Sequence, residues 1–432
     1  MVTYPKDWTE TKLLDCVRLV QGLTYRPENV KPYGTLVLRS SNIQGNRLSL
    51  ADNVYVDINI PQEKMIQAGD ILVCVRNGSS SLIGKSCKLR ALPHTTFGAF
   101  MSVLRGDTTG YFAKLVESDI VQGQVKDRSS ATINQITKKD FESILVTIPD
   151  SPEQAEIAET LSCIDTHIAN ITELIEKKRA IRNGALEDLV SGGTRLKDVN
   201  IVWEKTELGQ IASYRKGRTA SAKKQYISTE NMRQEFAGIT PYSGSYTVDG
   251  CEFYKGDILM ANIRPYLKKI WYADFSGSCS ADVLVVHCNE GIVSKYLYCL
   301  VANDRFINYI MNGGTKGIKM PRGDKEFIMH YPVLIPTDVK IQQTISDMLT
   351  SMDEEIIALE EAKDKILQIK AGAMDDLLTG RIRLTRQGGE RRQLILTEND
   401  RIRSSIGSLT TSAISSSATW KTVITRPSKK NC

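Results

Sequence analysis

The segment from Gly78 to Ser86 has the residue types of a nucleotide-binding loop, because it follows an apolar run and ends in Gly84-Lys85-Ser86. A phosphate-binding loop has four residues between its glycines, and its nest of backbone N–H groups depends on that geometry. Here five residues separate Gly78 from Gly84, and the corresponding part of the second half, Arg264 to Lys269, contains no glycine. We therefore predict that both segments present basic side chains to backbone phosphates and bind no nucleotide.

The other reactive side chains form no catalytic or metal-binding pattern. Asn262 to Tyr266 is similar to the Asn/Asp-Pro-Pro-Tyr/Phe signature of amino-methyltransferases, but it has an extra residue, lacks the proline pair, and has no F-x-G-x-G cofactor loop to accompany it. No histidine has a serine or cysteine partner at nucleophile spacing, and the only near-cluster of zinc-ligand types is His287-Cys288. The nine cysteines include no C-x-x-C, which is typical of reduced thiols in a cytoplasm. We predict a non-catalytic cytoplasmic chain with no metal or cofactor of its own.

Polar and basic loops are the remaining candidates for function. Arg39 to Asn42 and Ser228 to Asn231 follow apolar strand residues at equivalent places, and basic side chains lie near both. Arginine and asparagine can read guanine and adenine edges, while lysine contacts phosphates. A solvated loop side chain is the commoner role for any single residue, so the prediction rests on the whole set. The candidates for DNA binding are Arg39, Ser40, Asn42, Lys85, Lys88, Arg90, Arg215, Lys216, Arg218, Lys223, Lys224, Asn231, Arg264, Lys268, Lys269, Lys316, Lys319 and Arg322.

The composition predicts a soluble globular chain. Its residues are 41% apolar and 25% charged, and its length of 432 residues suits two to four domains. The longest purely apolar run, Ile71 to Val75, is far shorter than the roughly 20 residues that cross a bilayer. Met1 to Lys12 is polar and has no apolar stretch of the kind found in secretory signals. We therefore predict no association with a membrane.

The chain contains an internal repeat, and the two structural units that it defines must position these loops. Ile157–Leu196 aligns with Ile345–Leu384 at a constant offset of 188, with 14 of 40 positions identical. Weaker echoes precede both blocks in the same order. They are Trp8-x-x-Thr11-x-Leu13 with Trp203-x-x-Thr206-x-Leu208, Asn42-Ile43 with Asn231-Met232, Gly69-Asp70-Ile71-Leu72 with Gly256-Asp257-Ile258-Leu259, and Ile148-Pro149 with Ile335-Pro336. The repeat divides the chain into globular domains 1–150 and 197–336, helical regions 151–196 and 337–384, and a tail, 385–432.

Each copy combines short β-rich runs and turns with one long helix, which predicts an α+β fold. The apolar residues of the helices follow heptad spacing and form a seam that must be covered. The seam residues are Ile157, Leu161, Ile164, Ile168 and Ile171 in the first helix, and Ile345, Leu349, Met352, Ile356 and Leu359 in the second. Each helix could pack on its own globular domain. We favour packing of the helices on each other, antiparallel about a pseudo-twofold axis, as a rod about 60 Å long.

Charge is divided between the parts of the chain. The helical regions carry net charges of −3 and −4, the globular domains together carry +7, and the tail carries +6. This division suits globular domains that meet a polyanion and helices that act as a spacer. Residues 404–418 of the tail are rich in serine and threonine, and we expect a poorly ordered tail.

These features together resemble the specificity subunit of type I restriction-modification systems. The resemblance covers about residues 1–384 and is strongest in the paired helix ends, Gly184-Ala185-x-x-Asp188-Leu189-x-x-Gly192-x-x-Arg195-Leu196 and Gly372-Ala373-x-x-Asp376-Leu377-x-x-Gly380-x-x-Arg383-Leu384. It implies two target recognition domains that each bind half of a bipartite, asymmetric site on double-stranded DNA, and antiparallel helices that fix the gap. The tail departs from the usual ending of the family.

The resemblance also implies the partners. Two modification subunits would bind S-adenosylmethionine and methylate adenine, and two restriction subunits would use ATP and Mg²⁺ for translocation and cleavage. The specificity subunit itself would perform no chemistry. Two other functions stay open: a duplicated coiled-coil scaffold that binds only proteins, and a self-sufficient DNA methyltransferase, which the missing cofactor motifs disfavour.

Overall fold

A computed structural model of the protein describes residues 3–130, 134–190, 202–313 and 322–384, together with the strands Arg195–Leu196 and Ile424–Thr425. The chain forms two compact units. The first contains residues 1–172 and 362–408, and the second contains residues 173–361 and 409–432. Each unit therefore combines one globular domain of the repeat with parts of both long helices.

The globular part of the first unit is built on a four-stranded antiparallel sheet, called here the central sheet. Its strands are ordered Arg18–Gln21, Met101–Arg105, Ile71–Cys74 and Ser86–Lys88. Every residue of Ile71–Cys74 is buried, as expected of a continuous apolar run inside a sheet. The apolar core on this sheet includes Leu72, Cys74, Phe97, Met101 and Val103.

A second four-stranded sheet, called here the outer sheet, completes the first globular part. Its order is Thr95–Phe97, Thr35–Leu38, Val54–Val56 and Val30–Lys31, and the first two strands are parallel. The remaining elements are shorter. They are the hairpin Ile43–Gln44 with Arg47–Leu48, the helices Leu13–Cys16, Tyr111–Glu117, Asp119–Ser130 and Lys138–Glu142, and the 3₁₀ turns Pro27–Asn29, Ser40–Asn42, Gln62–Lys64 and Ser80–Leu82.

The second unit repeats the central sheet with the same order and the same antiparallel pairing. Its strands are Ala212–Tyr214, Val283–Cys288, Ile258–Ala261 and Ile270–Tyr272. Buried residues of the sheet and of the helices share one core, which includes Met260, Leu284, Tyr296, Leu297 and Phe306. The short elements of this unit are the helices Leu208–Ile211, Ser294–Val301, Asp304–Gly313 and Lys325–Met329, and the 3₁₀ turns Lys223–Gln225 and Pro265–Leu267.

The outer sheets of the two units share only a parallel pair of strands. This pair is Thr35–Leu38 with Thr95–Phe97 in the first unit and Tyr226–Ile227 with Gly277–Cys279 in the second. The antiparallel strands are added beside Thr35–Leu38 in the first unit. In the second unit they are Thr247–Phe253 and Arg218–Ala222, and they lie beside Gly277–Cys279, the other member of the pair. The two copies therefore share the central sheet and the parallel strand pair, and they differ in the antiparallel strands added to that pair.

The first strand of each domain pairs with the strand that leads into the long helix. Thr9–Lys12 is antiparallel to Leu145–Ile148, and Trp203–Glu207 is antiparallel to Pro332–Pro336. These pairings explain why the Trp-x-x-Thr-x-Leu and Ile-Pro segments occur together in both copies. The predicted α+β class with an internal repeat is confirmed.

The aspartate of the repeated Gly-Asp-Ile-Leu segment is buried in each unit and forms an ion pair with an arginine. Asp70 accepts a hydrogen bond from the backbone N–H of Gln67 at 2.8 Å, and its two oxygens lie 2.8 and 2.7 Å from the guanidinium of Arg105. Asp257 accepts from the N–H of Tyr254 at 2.7 Å and pairs with Arg215 at 2.5 and 2.9 Å. The carboxylate is thus the constant partner, while the arginine comes from a different strand in each unit.

The two long helices are Ser151–Val190 and Val339–Leu378. Both begin at an aspartate: Asp150 accepts a hydrogen bond from the N–H of Glu153 at 3.0 Å, and Asp338 accepts from that of Lys340 at 2.8 Å. Of the ten predicted seam residues, Met352 is half-buried and the other nine are buried. The second helix ends before Gly380, whose φ of +72° suits glycine.

Equivalent ion pairs join the two long helices within each unit. In the first unit Lys370 lies 2.8 Å from Asp165. In the second unit Arg182 lies 2.9 Å from Asp353. The two pairs are related by the repeat offset of 188, and the early part of one helix meets the late part of the other, so the helices run antiparallel in each unit.

The second long helix also packs on the globular core of the second unit. Ile345 and Leu349 belong to the same apolar cluster as Leu186 of the first long helix and Leu297 and Phe306 of the globular part. Both packing partners considered for the seam are therefore present in this unit. No helix among the described residues combines the length and apolarity needed to span a membrane.

The predicted tail, 385–432, lies outside the described residues except for one short strand. Ile424–Thr425 pairs antiparallel with Arg195–Leu196 in the second unit.

Candidate nucleic-acid interface

In the first unit, two of the predicted basic segments meet at one end of the central sheet. The 3₁₀ turn Ser40–Asn42 follows strand Thr35–Leu38, and the loop 75–85 follows strand Ile71–Cys74. The side-chain Nδ2 of Asn77 donates a hydrogen bond to Oγ of Ser40 at 3.0 Å, which joins the loop to the turn. We call these two segments the first loop cluster. Strand Ser86–Lys88 follows Lys85, whereas a nucleotide-binding loop would lead into a helix.

The second unit forms the same arrangement from equivalent segments. The turn 228–231 follows strand Tyr226–Ile227, and the loop 262–269 follows strand Ile258–Ala261. Nζ of Lys269 donates a hydrogen bond to the carbonyl of Thr229 at 2.6 Å, and the N–H of Phe236 donates to the carbonyl of Lys268 at 2.9 Å. These segments, extended to residue 236, are the second loop cluster. Corresponding loops therefore converge in both units.

The two predicted asparagines hold these turns together from the inside. Asn42 is fully buried, accepts a hydrogen bond from the N–H of Arg39 at 2.8 Å and donates to the carbonyls of Ser49 and Asp52 at 2.9 and 3.0 Å. Asn231 is 6% exposed and accepts from the N–H of Ser228 at 2.8 Å. A buried amide that binds its own turn is not presented to a base edge, so both asparagines position the loops.

Several predicted cations are already paired with a carboxylate. Lys268 lies 2.9 Å from both Glu235 and Asp304, and the hydrogen bonds that it donates to them raise its pKa. The paired arginines are Arg39 with Asp52 at 2.7 Å, Arg218 with Asp249, Arg322 with Asp282 at 3.1 Å, and Arg215 with Asp257 as described above. Lys223 instead packs on aromatic rings, with Nζ 3.8 Å from the ring centroid of Tyr242 and 4.6 Å from that of Tyr226.

The remaining cations make no ion pair with the part of the chain that the structure describes. Lys85 is half-buried, and the other members are exposed. The exposed members are Lys88, Arg90, Lys216, Lys224 and Arg264. Arg264 lies in the second loop cluster in a left-handed conformation, with φ of +54°. An exposed, unneutralised cation on a loop is suited to phosphate binding.

The structure does not bring all of the candidates together. Lys88 lies opposite Ile71, and Arg215 binds Asp257, so both lie at the end of their central sheet away from the loop cluster. Arg90 follows Lys88 at the same end. Arg215 is a half-buried structural residue, because its Nε and Nη2 both donate hydrogen bonds to Asp257. Lys316 and Lys319 lie outside the described residues.

Sequence reasoning missed exposed residues in and next to the loop clusters. In the first unit, the guanidinium carbon of Arg76 lies 5.3 Å from the ring centroid of Phe100, and Phe100 is 57% exposed. In the second unit, Arg233 is exposed and Tyr266 is 46% exposed. Exposed aromatic side chains next to cations are the signal that could have found them. Among the described residues, no group of three or more His, Cys, Asp or Glu side chains could hold a metal ion.

Comparisons with known proteins follow the same division into two copies. The family described as "Type I restriction modification DNA specificity domain" matches residues 5–178 and 200–370. The chain is similar to the type I restriction enzyme StySPI specificity subunit of Salmonella potsdam, with 29% identity over 224 residues that cover 48% of each chain. It is also similar to the EcoKI specificity subunit of Escherichia coli K12, with 28% identity over 201 residues, 44% of this chain and 43% of the relative. The chain thus matches about half the length of these curated relatives.

One solved structure supports the fold over most of the chain. The type I restriction-modification S subunit from M. genitalium has a TM-score of 0.55 and 18% identity. The match covers 86% of this chain and 96% of that one.

Proposed function

The chain belongs to the type I restriction-modification DNA specificity family, which matches more than half of its residues in two copies, and we propose that it is the DNA-binding specificity subunit of such a system. Each globular domain recognises one half of a bipartite, asymmetric site on double-stranded DNA. The chain itself performs no reaction and binds no cofactor, and it works in the cytoplasm.

The observation that carries this proposal is the pair of equivalent loop clusters. The framework beneath them is duplicated, down to the aspartate that precedes the buried central strand. The attached outer strands and the loop side chains differ between the copies. A duplicated framework with divergent loops is expected of two domains that read different sequences. Arg264 and the other unpaired cations supply the charge for backbone contacts.

The proposed partners are two modification subunits and two restriction subunits. The modification subunits bind S-adenosylmethionine and methylate adenine, and the restriction subunits use ATP and Mg²⁺. The two long helices set the distance between the half-sites. The names of the StySPI and EcoKI relatives, which are specificity subunits of type I restriction enzymes, support this assignment.

The decisive experiment is to map methylated adenines in the DNA of a host that expresses the chain together with a modification subunit. We expect one motif with two specified parts and an unspecified gap. Replacing residues 1–150 by the matching domain of a relative should change one half of that motif only. A change in both halves would refute independent recognition.

The alternative is a protein-binding scaffold without DNA specificity, and a methylation motif in the same experiment would exclude it. It predicts no methylation motif that depends on this chain. A self-sufficient methyltransferase would be revealed by S-adenosylmethionine binding or adenine methylation by the purified chain alone, and we expect neither.

A further inference from the structure

Three backbone positions at each loop cluster, the first of which belongs to the cluster, are structurally equivalent but hold different side chains. In the first unit they are Arg76, Phe100 and Gln135. The N–H of Val75 donates to the carbonyl of Phe100 at 3.0 Å, the N–H of Ile136 donates to the carbonyl of Val75 at 2.9 Å, and Arg76 forms an antiparallel bridge with Gln135.

The second unit builds the same three positions from Ile263, Asp282 and Arg322. The N–H of Asn262 donates to the carbonyl of Asp282 at 2.8 Å, the N–H of Gly323 donates to the carbonyl of Asn262 at 3.1 Å, and Ile263 forms an antiparallel bridge with Arg322. Each contact has its counterpart in the first unit. We call the two sets the first trio and the second trio.

Backbone groups alone make these shared contacts, so the fold does not dictate the side chains of the trios. Both sets are connected to a loop cluster. Asn77, which follows Arg76, contacts Ser40, and Asn262 directly precedes Ile263. At such positions the backbone is held in place while the side chain can differ, so the bases that are recognised can change without a change of fold.

The first trio presents an exposed guanidinium on a fixed backbone. Arg76 is exposed, makes no ion pair among the described residues, and lies over the exposed ring of Phe100 at 5.3 Å. The N–H of Arg76 also donates to the carbonyl of Phe100 at 3.2 Å, so the backbone of both residues is fixed. The planar fork of arginine fits the O6 and N7 acceptors of guanine, and a phenylalanine ring can contact the methyl group of thymine.

In the second trio the arginine is Arg322, which occupies the position equivalent to Gln135 and not to Arg76. Arg322 lies 3.1 Å from Asp282, and the side chains are 63% and 42% exposed, so the carboxylate orients the guanidinium without burying it. Arginine thus occurs once in each trio but at positions that do not correspond. The two domains would meet their bases with different patterns of donors.

Unsatisfied polar atoms occur in both loop clusters. Buried side-chain atoms without a hydrogen-bond partner among the described residues include Oγ of Ser41 in the first loop cluster, and Nδ2 of Asn231 and Oδ1 of Asn262 in the second. Buried polar groups are normally paired, so their concentration here indicates places where the fold is not arranged for its own stability alone.

We infer that the two trios are base-reading positions, and that Arg76 and Arg322 each read the guanine of one G·C pair, in different half-sites. This inference rests on the proposed function. It predicts that Arg76→Ala relaxes one position in one half-site, and that Arg322→Ala relaxes one position in the other. Loss of a bidentate base contact should weaken binding to the cognate duplex by about 5- to 150-fold, with little change for duplexes altered at that pair.

The test uses the full chain assembled with its modification subunits and selects binding sites from a pool of randomised duplexes. Wild type, Arg76→Ala, Arg76→Lys and Arg322→Ala are compared at several salt concentrations. Arg76→Lys keeps the charge but loses the fork, so it should relax the same position as Arg76→Ala. The control is Arg18→Ala, an exposed residue that lies opposite Arg105 at the far end of the same sheet and should leave the motif unchanged.

The outcomes separate the inference from the proposed function. A two-part motif for wild type with single-position relaxation in the variants supports both. A two-part motif that survives in every variant, whether binding is unchanged or uniformly weaker with a flatter salt dependence, overturns the base-reading role and leaves the proposed function intact. A wild-type complex that selects no motif overturns the proposed function itself.

Discussion

Matched insertions in the two long helices should lengthen the unread gap of the DNA site without changing its specified bases. Asp165 and Arg182 of the first helix bind Lys370 and Asp353 of the second. The bound residues are 17 positions apart in each helix. A four-residue insertion between Asp165 and Arg182 alone would offset the two helices by about 6 Å at 1.5 Å per residue, so both pairs could not form together.

The same insertion in both helices keeps the two spacings equal. Four residues are close to one helical turn, so the apolar seam and both ion pairs are preserved. The segments 169–176 and 357–364 lie between the paired residues and are suitable sites. The added length of about 6 Å corresponds to nearly two base pairs at 3.4 Å each, so the gap should grow by one or two base pairs.

Mapping of methylated adenines in cells is the assay, with single-helix insertion and a matched two-residue insertion as controls. Two residues rotate the following seam by about 200°, which would bury charge and abolish activity. The spacer role would be refuted if the matched four-residue variant kept the original gap or changed the half-site bases. Full activity of the single-helix variant would refute the importance of the paired register.

Other predictions concern single residues. Lys370→Met should lower the free energy of unfolding by about 3 kcal/mol, measured by urea unfolding, because it removes a mostly buried cation that pairs with both Glu117 and the half-buried Asp165. Burial alone would raise the pKa of Asp165, but its ammonium partners lower it, so stability should be lost as pH falls through the aspartate range, and less so in the variant. Asn42→Ala should cost about 1–3 kcal/mol of stability, measured by thermal unfolding without DNA, since it removes buried hydrogen bonds; unchanged stability would contradict its positioning role. Arg264→Ala should flatten the salt dependence of DNA binding by about one unit, while Lys268→Ala should not, because carboxylates already neutralise that lysine; equal slopes for both variants would contradict this assignment.

The sequence predicts the repeat, the α+β class and the long helices because these depend on local patterns. Heptad spacing places Ile157 and Leu161 on one face whatever that face contacts, and their burial follows. Aspartates before the helices and the apolar run Ile71–Cys74 are equally local signals. Such features survive the divergence of the two copies because each is fixed by neighbours in the chain.

The candidate interface is predicted less well because charge alone does not reveal a partner. Arg215 and Arg264 are both loop arginines of the second domain. Arg215 is half-buried and paired with Asp257, 42 residues away, whereas Arg264 is exposed and makes no ion pair among the described residues. Asn42 and Asn231 are likewise predicted from the sequence to contact DNA, but their amide oxygens accept hydrogen bonds from backbone N–H groups of their own turns. Pairing between distant loops depends on the register of the sheets, which the sequence does not state. The role of individual loop residues on DNA therefore stays a prediction.

The contact of Arg383, which follows the second long helix, with residues near the start of the chain affects the order of folding during synthesis. Arg383 lies 2.8 Å from Glu153 and 2.7 Å from Asp7, partners that are made 230 and 376 residues earlier. At a translation rate of about 5–20 residues per second, Glu153 waits roughly 10 to 50 s for this arginine. Its side chain, 2% exposed in the finished fold, has Trp8 Nε1 as a hydrogen-bond donor but lacks its arginine during that time. The domain that leaves the ribosome first is consequently completed last, and a chain truncated before Arg383 would retain every strand of that domain yet fail to close it.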